Sequence, residues 1–129
     1  MKLTTKTDYC LRTLIFLQQA DRRVKIQEIA DSYKVSKNHL SVAVNKLSEL
    51  GYIVTVPGPK GGIEFNKEIE NTTVGELVEK VELLEIAECF NPETNSCKLS
   101  PSCKLKHMLN NATESFLTEL KNYRIKDLI

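Results

Sequence analysis

The chain has 129 residues, of which 41% are hydrophobic, 27% charged and only 6% aromatic, as expected of one soluble globular domain with at most an appendage. No run approaches the roughly 18 to 20 apolar residues of a membrane span, and the start lacks a signal peptide's apolar core, so the expected location is the cytoplasm. The net charge of +1 hides a split: residues 1–62 hold ten Lys and Arg against five Asp and Glu, whereas nine Glu stand against two Lys between Ile63 and Glu93, which directs a polyanion partner to the N-terminal end.

From Asp8 to Ala20, Tyr9, Leu11, Leu14, Ile15, Phe16 and Leu17 recur at helical spacings after Thr5 and Thr7 as candidate caps, which predicts a buried first helix. Val24 to Tyr33 puts Ile26, Ile29, Ala30 and Tyr33 on one face of a segment too short to stand alone, so it must pack on neighbours. Ser36 then caps a further helix in which Leu40, Val44, Leu47 and Leu50 repeat until Gly51. Two short helices joined by a tight turn make a helix-turn-helix, and Ser36, Lys37, Asn38, His39, Ser41 and Val42 fall in the turns that reach base edges in the major groove. The plainer alternative is a solvated helix start.

Tyr52 to Val56 is a β-branched run, Pro57 to Gly62 a turn, and Ile63-Glu64-Phe65 an alternating strand, together a hairpin. A helix-turn-helix followed by a hairpin is a winged helix, whose tip, here Lys60 and Gly61, meets the phosphate backbone or minor groove. Residues 1–66 are therefore read as a DNA-binding domain and 67–129 as a cysteine-bearing loop with dimerisation helices.

Thr73-Val74-Gly75-Glu76 has the form of a capping box, and Val74, Leu77, Val78, Val81, Leu83 and Leu84 follow as an amphipathic helix ending near Ala87. Ser100-Pro101 suggests the N-cap and first residue of a last helix, in which Leu105, Met108, Leu109, Ala112, Phe116, Leu120 and Tyr123 form an apolar stripe over about six turns. The chain has too little left to cover that stripe, so a second copy is expected to cover it, and a homodimer would read a two-fold operator. The expected fold class is mainly α: a winged helix-turn-helix with a long C-terminal dimerisation helix and a cysteine-bearing loop.

A cytosolic chain of this size rarely keeps disulfides, so metal or redox chemistry is the better reading of four cysteines. Cys89-x7-Cys97-x5-Cys103 offers three thiolates close in sequence to Lys98, Lys104 and Lys106, cations that favour thiolate over thiol. Zinc ribbons use tighter pairs, so the wide gaps suit an iron-sulfur cluster better than one zinc. Three thiols leave a fourth position, for which Asp8 and His107 are candidates. Cys10 lies among Tyr9, Leu11 and Leu14 and is expected to be buried instead. No metalloprotease, phosphate-loop or nucleophile-elbow motif occurs, and an enzyme is not expected.

Thr7-Asp8-Tyr9, Leu11-Arg12, Leu14-Ile15, Ser36-Lys37-Asn38-His39-Leu40, Leu50-Gly51-Tyr52, Gly61-Gly62-Ile63, the three cysteines and Ser115 to Tyr123 together resemble the NsrR family of nitric-oxide-sensing iron-sulfur repressors. That family sits in a superfamily of dimeric winged-helix regulators that includes the cluster-assembly regulator IscR. The resemblance covers essentially the whole chain. It implies that Cys89, Cys97 and Cys103 ligate a 4Fe-4S cluster, that Asp8 of the partner subunit completes it with His107 as the alternative, and that nitric oxide dismantles the cluster and releases double-stranded operator DNA. The alternatives are a 2Fe-2S cluster or zinc, and a sensor of cluster supply, iron or redox state on the same scaffold. The chain departs from the family in Pro57, where arginine is usual before the wing glycine, in the x7 gap, and in Cys10, where a small residue is usual.

Overall fold

Thr4, rather than Thr5 or Thr7, starts the first helix: its hydroxyl oxygen accepts from the Thr7 amide at 3.4 Å, and Thr7 itself is fully buried. Helix α1 spans Thr5–Ala20 and closes at Asp21 in the left-handed region. The structure is a computed structural model and describes residues 1–99 and 102–129. The chain forms two compact units, one of Lys2–Thr72 with Arg124–Ile129, the other built on Thr73–Tyr123. The architecture is mainly helical with a small two-stranded sheet.

In the first unit α2, Ile26–Tyr33, ends at Lys34 in a left-handed conformation, and α3, Lys37–Glu49, starts from Ser36, whose hydroxyl oxygen accepts from the His39 amide. The turn between them is the short connection that the caps dictate. Helix α1 packs on α3, and Cys10, Leu14, Leu17, Ile29, Leu40, Ala43 and Leu47 are at most 1% exposed in the resulting core. Each fully buried Leu there contributes roughly 1.5–3 kcal/mol, which holds the exposed side of α3 at a fixed angle.

Strand β1, Ile53–Val56, pairs antiparallel with β2, Gly62–Phe65, in the register Ile53↔Phe65 to Val56↔Gly62. A single residue adds a third line to this ribbon: Val24 and Ile63 exchange both amide hydrogen bonds, at 2.9 and 2.8 Å. Gly62 (φ +149°) is required at this crossing, since a Cβ there would stand 2.4 Å from the Val24 carbonyl oxygen. The last residues return to the same unit. Ile125, fully buried, donates to the Thr72 carbonyl at 2.8 Å, and Gln18 on α1 donates to the Ile125 carbonyl at 3.1 Å.

In the second unit, Thr73 and Glu76 form the expected capping box, with bonds of 3.1 and 3.4 Å. Helix α4, Val74–Val81, is shorter than the apolar pattern suggests, because Glu82 turns extended. Beyond it Glu82 is buried and Leu83 is 79% exposed. Helix α5 spans Lys104–Leu120 with Cys103 at its N-cap position. The expected start at Ser100-Pro101 lies outside the described residues. Tyr123 falls beyond the helix, and the side of α5 that its own chain buries is Thr113 and Leu117. Leu105, Met108 and Ala112 of the predicted stripe are exposed, and Leu109, Phe116 and Leu120 half-exposed.

Candidate nucleic-acid interface and thiol loop

The first turn of α3 offers Ser36, Lys37, Asn38 and His39 to solvent. Ser41, half-buried, donates its hydroxyl to the Lys37 carbonyl at 2.8 Å, so its hydrogen is held within the helix while its lone pairs remain. Val42, 53% exposed, sits on the same helix. An apolar side chain beside exposed donors and acceptors matches the surface a thymine methyl presents next to its base edges.

The wing divides the two residues expected at its tip. Lys60 is exposed, whereas Gly61 is buried, and its amide donates to the Gly58 carbonyl at 2.9 Å. A Cβ on Gly61 would lie 2.0 Å from the Val56 carbonyl oxygen; Gly61 shapes the turn. Two side chains from the segment before α2 also reach the wing. Arg23 donates to the Lys60 carbonyl and Lys25 to the Gly58 carbonyl, each at 3.3 Å. Sequence reasoning counted both as basic residues but did not place them here, because the only signal is the β-branched Val24 between them.

Three of the four cysteines stand in the segment between α4 and α5. Cys89 lies in a 3-10 turn over Glu88–Phe90, Cys97 donates its amide to Asn95 Oδ1 at 2.9 Å, and Cys103 occupies the N-cap position of α5. All three are free and half-buried. Glu88 accepts from both the amide and the hydroxyl of Ser96, bonds that hold its carboxyl below the usual carboxylate range and that tie together the backbone beside Cys89 and Cys97. As a donor set, three thiols on a polar loop suit soft metal centres. Among the described residues, however, no three His, Cys, Asp or Glu side chains gather as a ligand group.

His107 is exposed and Asp8 half-buried. The Asp8 carboxylate is already engaged by Arg12 one turn along α1, Oδ2 at 2.9 Å from Nη2 and Oδ1 at 3.2 Å from Nε. This i,i+4 pair was readable in the sequence. Cys10 differs from the other thiols. It is fully buried, its Sγ lies 3.6 Å from the Ala43 carbonyl of α3, and burial raises it from 9.0 to about 11. Iodoacetamide applied to native, metal-free protein at pH 8 should therefore label Cys89, Cys97 and Cys103 and spare Cys10, which should react only in denaturant. Peptide mass mapping checks this, and labelling of native Cys10 at the same rate would contradict its burial. The raised value has a second consequence. The unfolded chain releases this proton first, so the contribution of Cys10 to stability is complete below pH 9 and is lost as pH rises toward 11.

Two short helices with a tight turn, an exposed first turn on the second, and a hairpin wing define a winged-helix DNA-binding regulator. The chain belongs to the Rrf2 family, described as iron-dependent transcriptional regulators, whose pattern it matches over residues 3–129. It is 46% identical over 132 aligned residues to the HTH-type transcriptional regulator NsrR of Bacillus licheniformis, spanning all of this chain and 92% of that protein. It is 43% identical to NsrR of Bacillus subtilis strain 168, again over all of this chain and 90% of that protein. The fold is similar to T. potens IscR (TM-score 0.74, 21% identity, 99% of this chain and 85% of that one). It is similar also to the oxidized form of Staphylococcus aureus CymR (TM-score 0.75, 24% identity, 99% and 95%). The protein is thus a transcriptional regulator of the Rrf2/NsrR type and not an enzyme. Among the described residues no helix is long and apolar enough to cross a membrane.

Proposed function

We propose that the chain is a repressor that binds operator DNA as a homodimer and releases it when nitric oxide reaches an iron-sulfur centre on its cysteine loop. The observation that carries this reading is the coincidence, in a chain so similar to NsrR regulators over its whole length, of three free, half-buried thiols in one segment. Cys89, Cys97 and Cys103 supply thiolates, and the fourth ligand is Asp8 from the partner subunit, with His107 the alternative. A 4Fe-4S cluster, when bound, supplies iron that nitric oxide can attack, the hard carboxylate being the weakest-held of these ligands.

The chain's own residues do the rest. Arg12 holds the Asp8 carboxylate in place through two bonds and competes for it, which keeps that ligand exchangeable. Leu105, Met108 and Ala112, exposed along α5, form an apolar face suited to a second copy. In the dimer, the exposed turn Ser36 to His39 of each copy enters a major groove, with Lys60 at the backbone.

The test uses protein purified without oxygen and a duplex selected from a random pool by that protein. Binding should be tight before nitric oxide and at least about tenfold weaker after it; unchanged binding would contradict the sensing role. Asn38→Ala, in the exposed turn of α3, should cost about 1–3 kcal/mol of binding per half-site and relax the preference at one base pair in each. Binding arrays of single-base variants read this out, and an unchanged preference would remove Asn38 from the base-reading set.

A further inference from the structure

The wing of this chain is poor in the groups that backbone contacts to phosphate require. Its tip runs Pro57-Gly58-Pro59-Lys60-Gly61. Two prolines carry no N–H, and the Gly61 amide is spent on the Gly58 carbonyl. The carbonyls of Gly58 and Lys60 would add partial negative charge where a polyanion approaches. Both carbonyls are instead covered by cations from outside the hairpin, Lys25 Nζ on Gly58 and Arg23 Nη1 on Lys60, each at 3.3 Å.

These two side chains sit there because Val24 between them bridges to Ile63. Extended backbone on either side of a bridged residue sends its neighbours to the opposite face from its own side chain, and Val24 is buried, so Arg23 and Lys25 emerge together at the wing. The charge at this edge is not cancelled. Arg22 is occupied by Glu28, but Arg23 meets Glu64 only through Nε at 3.5 Å, leaving guanidinium donors over. Lys25 and Lys60 have no carboxylate partner among the described residues.

We propose that Arg23, Lys25 and Lys60 form the phosphate contact of the wing, a cationic cluster assembled across the Val24–Ile63 bridge that takes over the role of wing backbone amides. Lys25 and Arg23 cover the tip carbonyls in the free protein and offer their remaining N–H groups to one or two phosphates flanking the site read by α3. This rests on the DNA-binding reading above.

The test compares the unaltered protein, purified without oxygen, with the double variant Arg23→Met/Lys25→Met on the duplex selected by the unaltered protein, over 50 to 300 mM salt. Methionine keeps an apolar stem of similar length and removes the charge. The variant should bind at least about tenfold more weakly near 0.1 M salt, and its plot of log K against log salt should be shallower by about two to four, since one or two phosphate contacts are lost in each of the two wings of the dimer and each removes about 0.9 from the slope. Lys25→Arg should keep the parent slope, and the melting transition of every variant should coincide with that of the parent. A weaker affinity with the parent slope would show that the pair only props the wing, and would overturn the inference, as would unchanged affinity. An unaltered protein with no duplex affinity would instead overturn the DNA-binding reading itself, and this inference with it.

Discussion

Cys97→Ala is expected to leave a folded protein that purifies without iron and binds its duplex at least about tenfold more weakly than the parent. The change is nearly silent in the apoprotein. The Cys97 thiol is half-buried, and the hydrogen bond from its amide to Asn95 survives the substitution, so stability should stay within about 0.5 kcal/mol. The effect falls on the metal, because two thiolates and one carboxylate cannot replace three thiolates as a soft donor set. Asp8→Ala should behave differently, retaining iron on its three thiolates but surrendering it faster to a chelator. Metal analysis, urea unfolding and gel shift on both variants separate these outcomes. Full iron content in Cys97→Ala would remove that residue from the ligand set.

Gly75→Ala should destabilise the protein by about 2–5 kcal/mol, although alanine is the better helix former by about 1 kcal/mol. The added Cβ would lie 2.4 Å from Lys121 Cγ, which can move, but also 2.7 Å from the Lys121 nitrogen and 2.8 Å from the Leu117 carbonyl oxygen, which are backbone. To relieve the overlap α4 must draw away from α5, uncovering Val74, Leu77, Val78 and Leu117, all at most 6% exposed. Losing even part of that burial outweighs the propensity gain, since each such side chain carries about 1.5–3 kcal/mol. The neighbouring Glu79→Ala, which removes only an exposed ion pair with Lys121 at 3.0 Å, should cost under about 1 kcal/mol. Urea unfolding of both variants makes the comparison. A stabilised Gly75→Ala would mean that propensity decides this position and that the helices do not meet there.

The contrast between these two sites shows where local signals suffice. Ser36, the Thr73–Glu76 pair and the Gly61-Gly62 turn each announce an element with a hydrogen bond or a conformation that few residues can supply, and the helix-turn-helix and its wing followed from them. The apolar stripe of α5 was equally visible, but not which side its own chain would bury: that side is Thr113 and Leu117, and the backbone at Leu117 and Lys121 meets α4 at Gly75. Two features depend on contacts far apart in sequence and left little local trace: Val24 joins the wing through one residue, and Ile125 returns to Thr72. For the candidate site, the three thiols and the exposed turn of α3 were legible from residue type and spacing. The claim of Arg12 on Asp8 was legible too, in its i,i+4 spacing, whereas the burial of Gly61 depends on how the turn folds back on Val56 and Pro57, and the reach of Arg23 and Lys25 needed the third line of the sheet.

The most direct test of the account is the iron, acid-labile sulfide and zinc content of protein purified without oxygen, read together with its visible spectrum before and after nitric oxide. About four iron and four sulfide per chain, with a visible band that nitric oxide bleaches, is the predicted result. Two of each would keep the sensing role on a 2Fe-2S cluster. Stoichiometric zinc, or no metal after strictly anaerobic handling, would contradict the account and leave an Rrf2-family regulator whose cysteines serve another purpose.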